Sequence, residues 1–229
     1  MSPMNRLGEH GWLDAYAAPT VTPGGGSASA VAAALGCALL AMTARIGAGR
    51  AEPATAERLD RLAGEADRLR ATLVEQERTD AGVYERMVAT VRAARATEGD
   101  PGAARAAEAA RADATEVPLA TAELAADGVG LATELADKAL TRTASDQLVA
   151  AHLLRAGLEG GLSTVAFNLR RMAASPVRDD LAARAGRLAT ARRAAADLTD
   201  RLAEMVEQQE ISPPAGDRRI LPPEPRREE

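Results

Sequence analysis

The sequence predicts an all-α protein, an elongated helical bundle that dimerises through its helices. Aromatic residues make up 2% of the 229 positions while apolar residues make up 46%. Such a core is built from Ala, Leu, Val and Met, side chains that suit close-packed helices more than sheets. Apolar residues recur three and four positions apart over long stretches, with Gly and Pro between the stretches. No segment alternates as a strand does, and no internal repeat stands out.

The elements follow in order. Gly11–Ala17 forms a short amphipathic helix closed by Pro19. Trp12 and Tyr16, four apart, share a face and plug one end of the bundle. Next comes Pro23-Gly24-Gly25-Gly26-Ser27, the stretch around which the chain is organised. Proline fixes φ, and the glycines let the backbone pass close to other groups. Ser27 or Ser29 caps a helix reaching about Arg45, whose exposed N–H groups attract anions and polar ligand edges. No Lys-Ser/Thr pair follows the glycines and no apolar strand precedes them. A Walker loop and a dinucleotide fingerprint are thereby excluded. Ala28, Ala30, Ala32 to Ala34, Gly36, Cys37 and Ala38 are small, so this helix sits at a bundle or dimer core.

Gly47-Ala48-Gly49-Arg50 interrupts the pattern, and Pro53 opens a helix from 54 to 96. Leu59, Leu62, Ala66, Leu69, Leu73, Val83 and Met87 point inward, with Asp80-Ala81-Gly82 a soft spot. The loop at 97–102 precedes a helix from 103 to 140. Pro118 kinks or breaks it and frees backbone carbonyls for other partners. Ser145-Asp146 caps a helix to Met172 that is apolar on nearly every side and therefore buried. A thin polar stripe, His152, Arg155, Glu159 and Ser163, crosses it. Gly157, Gly160 and Gly161 mark close approach by another helix or a ligand. A last helix spans 178–209 with Leu181, Leu188, Leu198, Leu202 and Met205 inward. The Pro-, Arg- and Glu-rich segment 212–229 reads as a disordered tail. The helical domain is therefore 1–211.

Net charge is −5 with both signs interspersed, which leaves no basic footprint for nucleic acid. One cysteine, Cys37, excludes an internal disulfide and a Cys-based zinc site. Met1–Gly11 carries no apolar signal region, and the run 28–44 is too short and Ala-rich for a membrane span. A cytoplasmic chain with no membrane partner is expected.

Three segments carry a resemblance. Leu13-Asp14-Ala15-Tyr16-Ala17-Ala18-Pro19-Thr20-Val21-Thr22-Pro23-Gly24-Gly25-Gly26-Ser27 is similar to the N-terminal signature of the cyclodeaminase/cyclohydrolase family. Thr115-Glu116-Val117-Pro118-Leu119 resembles its mid-chain block. Ser145-Asp146, with Gly157-Leu158-Glu159-Gly160-Gly161 and Val165-Ala166-Phe167-Asn168-Leu169, resembles its last block. Asp80 with Tyr84 stands where the family carries an acid followed by an aromatic. The resemblance spans about Trp12 to Met172. It implies a helical homodimer with a folate site near the dimer interface. The reactions implied are loss of ammonia from 5-formiminotetrahydrofolate and hydration of the 5,10-methenyl form to 10-formyltetrahydrofolate. A tetrahydrofolate derivative is then the substrate, with no permanently bound cofactor.

Both reactions pass charge through a cationic carbon bridge, which carboxylates stabilise and whose protons they relay. The catalytic candidates are Asp146, Asp80, Tyr84 and Glu159. Asp146 is placed first because a helix N-terminus keeps a carboxylate anionic. The substrate-binding candidates are Pro23, Gly24, Gly25, Gly26, Ser27, Ser145 and Asn168. Lys138 and Arg142 are candidates for an anionic tail. No cluster has metal-ligand spacing, so no metal is expected. Plainer readings stand beside these. Ser145 and Asp146 also read as simple caps, Arg155 and Glu159 as an ion pair, and His152 as a core histidine. Thr43–Arg50 replaces the Asn-containing, Lys-rich run that usual family members carry. That change keeps open a non-folate amidine or iminium substrate, and the long Ala/Arg/Glu helices keep open a non-catalytic dimer.

Overall fold

Small side chains decide how closely these helices pack. In the computed structural model, which describes residues 11–97, 99–137 and 141–208, seven α-helices follow one another. They are α1 (Gly11–Ala17), α2 (Gly25–Ala48), α3 (Pro53–Ala96), α4 (Pro101–Ala136), α5 (Ala144–Leu169), α6 (Pro176–Arg187) and α7 (Ala189–Glu207), with a 3-10 turn at Thr141–Thr143 before α5. No strand occurs among the described residues. The segment 212–229 and Lys138 lie outside them.

α2 is central, packed between α3 and α5 with α4 behind it. Ala30, Ala33, Cys37, Leu40, Ala41 and Ala44 are buried. A Cβ added at Gly36 would lie 2.8 Å from Leu154 Cγ and 3.0 Å from the Ala150 carbonyl oxygen. One added at Gly157 would lie 2.6 Å from Ala33 Cβ. Early α2 therefore meets late α5, and the two helices run antiparallel. Gly161 faces the other way, with its added Cβ 2.8 Å from the Pro118 carbonyl oxygen of α4. The glycines of α5 thus admit α2 on one side and α4 on the other. Leu154 and Leu158 fill the space between, each fully buried and contributing about 1.5–3 kcal/mol. α2 alone among the described helices has the length and hydropathy of a membrane span, and 61% of that stretch is buried in the bundle.

α4 runs on through Pro118. A proline lacks the N–H that would reach the carbonyl four residues back. That carbonyl, on Ala114, instead accepts from Asn168 Nδ2 at 3.0 Å, as the freed-carbonyl reading expected. α6 is tied to α4 by Arg184, 2.7 Å from Glu116 and 2.8 Å from Glu123.

Several expectations are corrected. α2 begins at Gly25 with Gly24 at its N-cap, so neither serine caps it. Ser27 turns to a tertiary partner, and Ser29 Oγ donates back to the Gly25 carbonyl at 2.7 Å. At α5, Thr143 holds the cap position, and Ser145 and Asp146 fall in the first turn. α5 is not buried all round: Val149 and Phe167 are 49% and 45% exposed. α3 is unbroken at 80–82. The last helix is two, because Leu188 adopts a turn geometry and closes α6 with its N–H on the Ala185 carbonyl at 3.2 Å. Ser175 caps α6 by accepting from Arg178 N at 3.2 Å. Trp12 and Tyr16 stack edge-on at 6.2 Å. They lie half-buried against the middle of α3, where Tyr16 meets Glu77, rather than at a bundle end.

Candidate functional site

The site is built where the Gly-rich turn meets the middle of α3. The Thr22–Pro23 peptide is cis, and Gly24 is extended. Gly26 is pressed against α3: a Cβ there would lie 2.5 Å from Asp80 Oδ1 and 2.8 Å from Cγ and Oδ2. Only a residue without a side chain lets the carboxylate come so near. The next residue uses that proximity. Ser27, fully buried, donates its hydroxyl to Asp80 Oδ2 at 2.8 Å. Asp80 is thereby held beside the first turn of α2, whose backbone N–H groups and dipole favour negative charge.

Two further contacts bind the same stretch to α3. Thr22 Oγ1 donates to Glu85 Oε1 at 2.8 Å, and the Tyr16 hydroxyl donates to Glu77 Oε1 at 3.4 Å. Burial, followed by the charge of Glu77 and its hydrogen bond, holds the Tyr16 phenol above its usual range, and Asp80 adds to the effect. The segment 16–27 therefore lies along a carboxylate-bearing face of α3. α5 forms the opposite wall. Gly160 abuts the Ser29 hydroxyl, and a Cβ at Gly25 would stand 3.9 Å from Thr164 Oγ1.

Pro23, Gly24, Gly25, Gly26, Ser27 and Asp80 are thus brought together. Tyr84 stands one turn further along α3, half-buried. Asn168 stands two turns beyond Gly160 on the α5 wall, bonded to Ala114. Ser145, Asp146 and Arg142 are not brought to this place within one protomer. They sit at the start of α5, about 21 Å along its axis from Gly160 at 1.5 Å per residue. Ser145 and Arg142 are exposed, and Asp146 is half-buried. Glu159 accepts from Arg155 Nε at 3.0 Å, and Arg155 also reaches Thr199 of α7 at 3.4 Å. The plain ion-pair reading describes that pair. His152 is exposed.

Sequence reasoning missed Thr22, Glu85, Glu77 and the hydroxyl of Tyr16. A signal for part of this was present, since Glu77, Asp80 and Tyr84 recur three and four apart and share one stripe of α3. Among the described residues no group of three or more His, Cys, Asp or Glu is placed to hold a metal ion. The arrangement offers a fixed carboxylate, a supporting hydroxyl and bare backbone around it. Such a set suits an electron-poor, flat group that gains or loses a proton.

A family model described as formiminotransferase-cyclodeaminase matches residues 10–187. The methenyltetrahydrofolate cyclohydrolase of Methylorubrum extorquens is 30% identical over 162 residues, covering 69% of this chain and 77% of that protein. The crystal structure of formiminotetrahydrofolate cyclodeaminase from Thermotoga maritima has a TM-score of 0.72 at 23% identity. That match covers 89% of this chain and 98% of the other, and at such identity the likeness is one of fold. The matched span contains the Gly-rich turn, the Asp80 stripe and the whole of α5, and it places the chain in the formiminotransferase-cyclodeaminase family.

Proposed function

We propose that the chain is an enzyme acting on a C–N bond of a folate-borne one-carbon unit. The first reading is methenyltetrahydrofolate cyclohydrolase, and formiminotetrahydrofolate cyclodeaminase is the second, both by acid/base chemistry without a metal. The observation that carries this reading is the Ser27–Asp80 pair, 2.8 Å apart and closed over by Gly26. In the cyclohydrolase direction the Asp80 carboxylate faces the cationic methenyl carbon. Water adds to that carbon and gives up a proton to the carboxylate. Breaking the bond from this carbon to N5 leaves the formyl group on N10, with a proton passed to N5. In the cyclodeaminase direction N10 attacks the formimino carbon, and protonation of the resulting amine lets ammonia leave, which forms the methenyl cation. Tyr84 and Ser27 orient the ring and the carboxylate. The 30% identity to a cyclohydrolase favours the first direction. Arg45 ion-pairs with Asp67 of α3, and Arg50 donates to the Ile46 carbonyl at 3.3 Å. Within one protomer the altered 43–50 segment therefore braces the scaffold about 20 Å along α3 from Asp80.

The protein acts as a homodimer in this reading. Leu35, Met42 and Ile46 on α2 and Val149 on α5 are exposed apolar side chains on two adjacent antiparallel helices. The pairing of Gly36 with Ala150 and of Gly157 with Ala33 puts Met42 and Asp146 at one level. In this reading the twofold axis lies near Leu35 and brings the Asp146 level of one protomer to the Ala28 level of the other. Asp146 then serves the site across the interface. Loss of methenyltetrahydrofolate absorbance with purified protein tests the activity, and no acceleration over background refutes it. Mixing inactive Asp80→Asn and Asp146→Asn dimers tests the sharing. Random re-pairing of a twofold dimer restores about a quarter of wild-type activity if the site is shared, and no restoration refutes the sharing.

A further inference from the structure

The chain from Tyr16 to Ser27 is tied to α3 by three side chains, in an order that differs from their order on α3. Tyr16 donates to Glu77 at 3.4 Å, Thr22 to Glu85 at 2.8 Å, and Ser27 to Asp80 at 2.8 Å. The chain therefore passes the level of Asp80, reaches Glu85 and turns back. Glu77 to Glu85 is about 12 Å along the helix. Thr22 is the outermost tie of this excursion, and Tyr84 lies between Asp80 and Glu85 on α3.

The excursion is folded on itself. Thr20 N donates to the Ala18 carbonyl at 2.8 Å, and Thr20 Oγ1 donates to the Thr22 carbonyl at 2.8 Å. A Cβ at Gly24 would lie 3.2 Å from the Val21 carbonyl oxygen. Residues 18–24 thus move as one piece. None of them is buried, and Val21 is 69% exposed. Local opening costs least where few apolar contacts must part, so the place of this piece depends on its two ends and on the Thr22–Glu85 bond. One end is Gly24, the N-cap of α2. Gly25 and Gly26 follow at once, against Thr164 and Asp80. A shift of the piece is therefore passed to the bare backbone beside Asp80.

We propose that the Thr22–Glu85 bond is a latch that holds the Gly-rich turn closed over Asp80, which makes Thr22 and Glu85 positioning residues for the reaction. The proposal rests on the folate reading for its kinetic arm. An open turn binds substrate poorly, and apparent affinity falls with the closed fraction. Bound substrate restores the closed turn, so the chemical step is spared. Loss of the latch acts on KM, whereas displacement of Asp80 itself acts on kcat.

Thr22→Val removes the hydroxyl with almost no change of shape, and Glu85→Ala removes its acceptor. Each should raise the KM for methenyltetrahydrofolate about five- to tenfold, a modest effect for a hydrogen bond to a charged group because this pair lies in water. The kcat should stay within about twofold of wild type. Thr22→Ser keeps the hydroxyl and Glu85→Gln keeps an acceptor oxygen, so both should restore a KM near the wild-type value. The double variant Thr22→Val/Glu85→Ala should be no worse than either single one. Hydrogen exchange of the amides in 18–26 reads the latch without substrate: faster in Thr22→Val and Glu85→Ala, unchanged in Thr22→Ser. Unchanged exchange in both loss variants overturns the latch, as do additive effects in the double variant. Faster exchange with an unchanged KM overturns the positioning role. If wild-type protein turns over no methenyltetrahydrofolate, the folate reading fails, while the exchange comparison still decides the latch.

Discussion

Replacing Gly26 by Ala tests the core of the site with one methyl group. Its Cβ would lie 2.5 Å from Asp80 Oδ1, and ordinary contact requires about 3.5 Å. The carboxylate must therefore withdraw by about 1 Å. It is the end of a side chain and can rotate, so the backbone need not move, but the bond from Ser27 is lost. A hydrogen bond to a charged group contributes about 1.5–3 kcal/mol, and alanine in place of glycine inside a helix returns up to about 1 kcal/mol. With the full offset the net cost is about 0.5–2 kcal/mol, which lowers Tm by about 1–8 °C in a chain of this size. Catalysis is far more sensitive to position, and a misplacement of about 1 Å costs about a hundredfold. Expected, then, is a folded protein with a slightly lower Tm and turnover of methenyltetrahydrofolate down by about two orders of magnitude. Thermal melts and the absorbance assay read the two quantities separately. A variant with wild-type kcat/KM would refute the placement of Asp80 at the reacting carbon.

Three further outcomes are expected. Asn168→Leu leaves the Ala114 carbonyl without its donor and lowers stability by about 1–3 kcal/mol. Pro118→Ala supplies the missing helical N–H, so a double-mutant cycle followed by denaturant melts should show the Asn168→Leu cost largely removed, and simple additivity would contradict it. Leu35→Arg places a charge in the apolar stripe of α2 and should convert the proposed dimer to a monomer with loss of activity, as read by light scattering. An unchanged mass would remove α2 from the interface. Asp67 is held below its ordinary value by its hydrogen bond from Arg45, with Arg70 contributing. Its stabilisation is present above the unfolded-state value of about 3.9 and is lost as pH falls from there through the folded value. Below about pH 4 the wild-type Tm should converge on that of Asp67→Asn, and parallel acid limbs would contradict the pairing.

Much of this was legible in the sequence. The small residues after the Gly-rich turn announced a central helix, and α2 is that helix. Gly157, Gly160 and Gly161 announced close approach, and α2 and α4 fill those places. Pro118 announced a freed carbonyl, and Asn168 answers it. The failures have physical causes. A helix face that a second copy could cover carries apolar residues like any core face, so Val149 and Phe167 read as buried. Leu188 ends α6 without a proline, and a leucine at that position signals continuation rather than a stop. Ser27 looked like a cap because a serine at a helix start usually is one, while its actual partner lies 53 residues away. Thr22 and Glu85 are 63 residues apart, a relation that local pattern does not carry.

The length of α3 has a consequence for motion. Its 44 residues span about 66 Å, and its two halves are anchored unequally. Leu59, Leu62, Ala63, Ala66 and Leu73 fix the first half in the core, whereas Val83 is the one buried residue of α3 beyond Leu73. Local opening costs least where fewest apolar contacts must part. Amide exchange should therefore be slow before Leu73 and faster through the segment bearing Asp80 and Tyr84, so that the half of the helix forming the site breathes on a frame that stays shut.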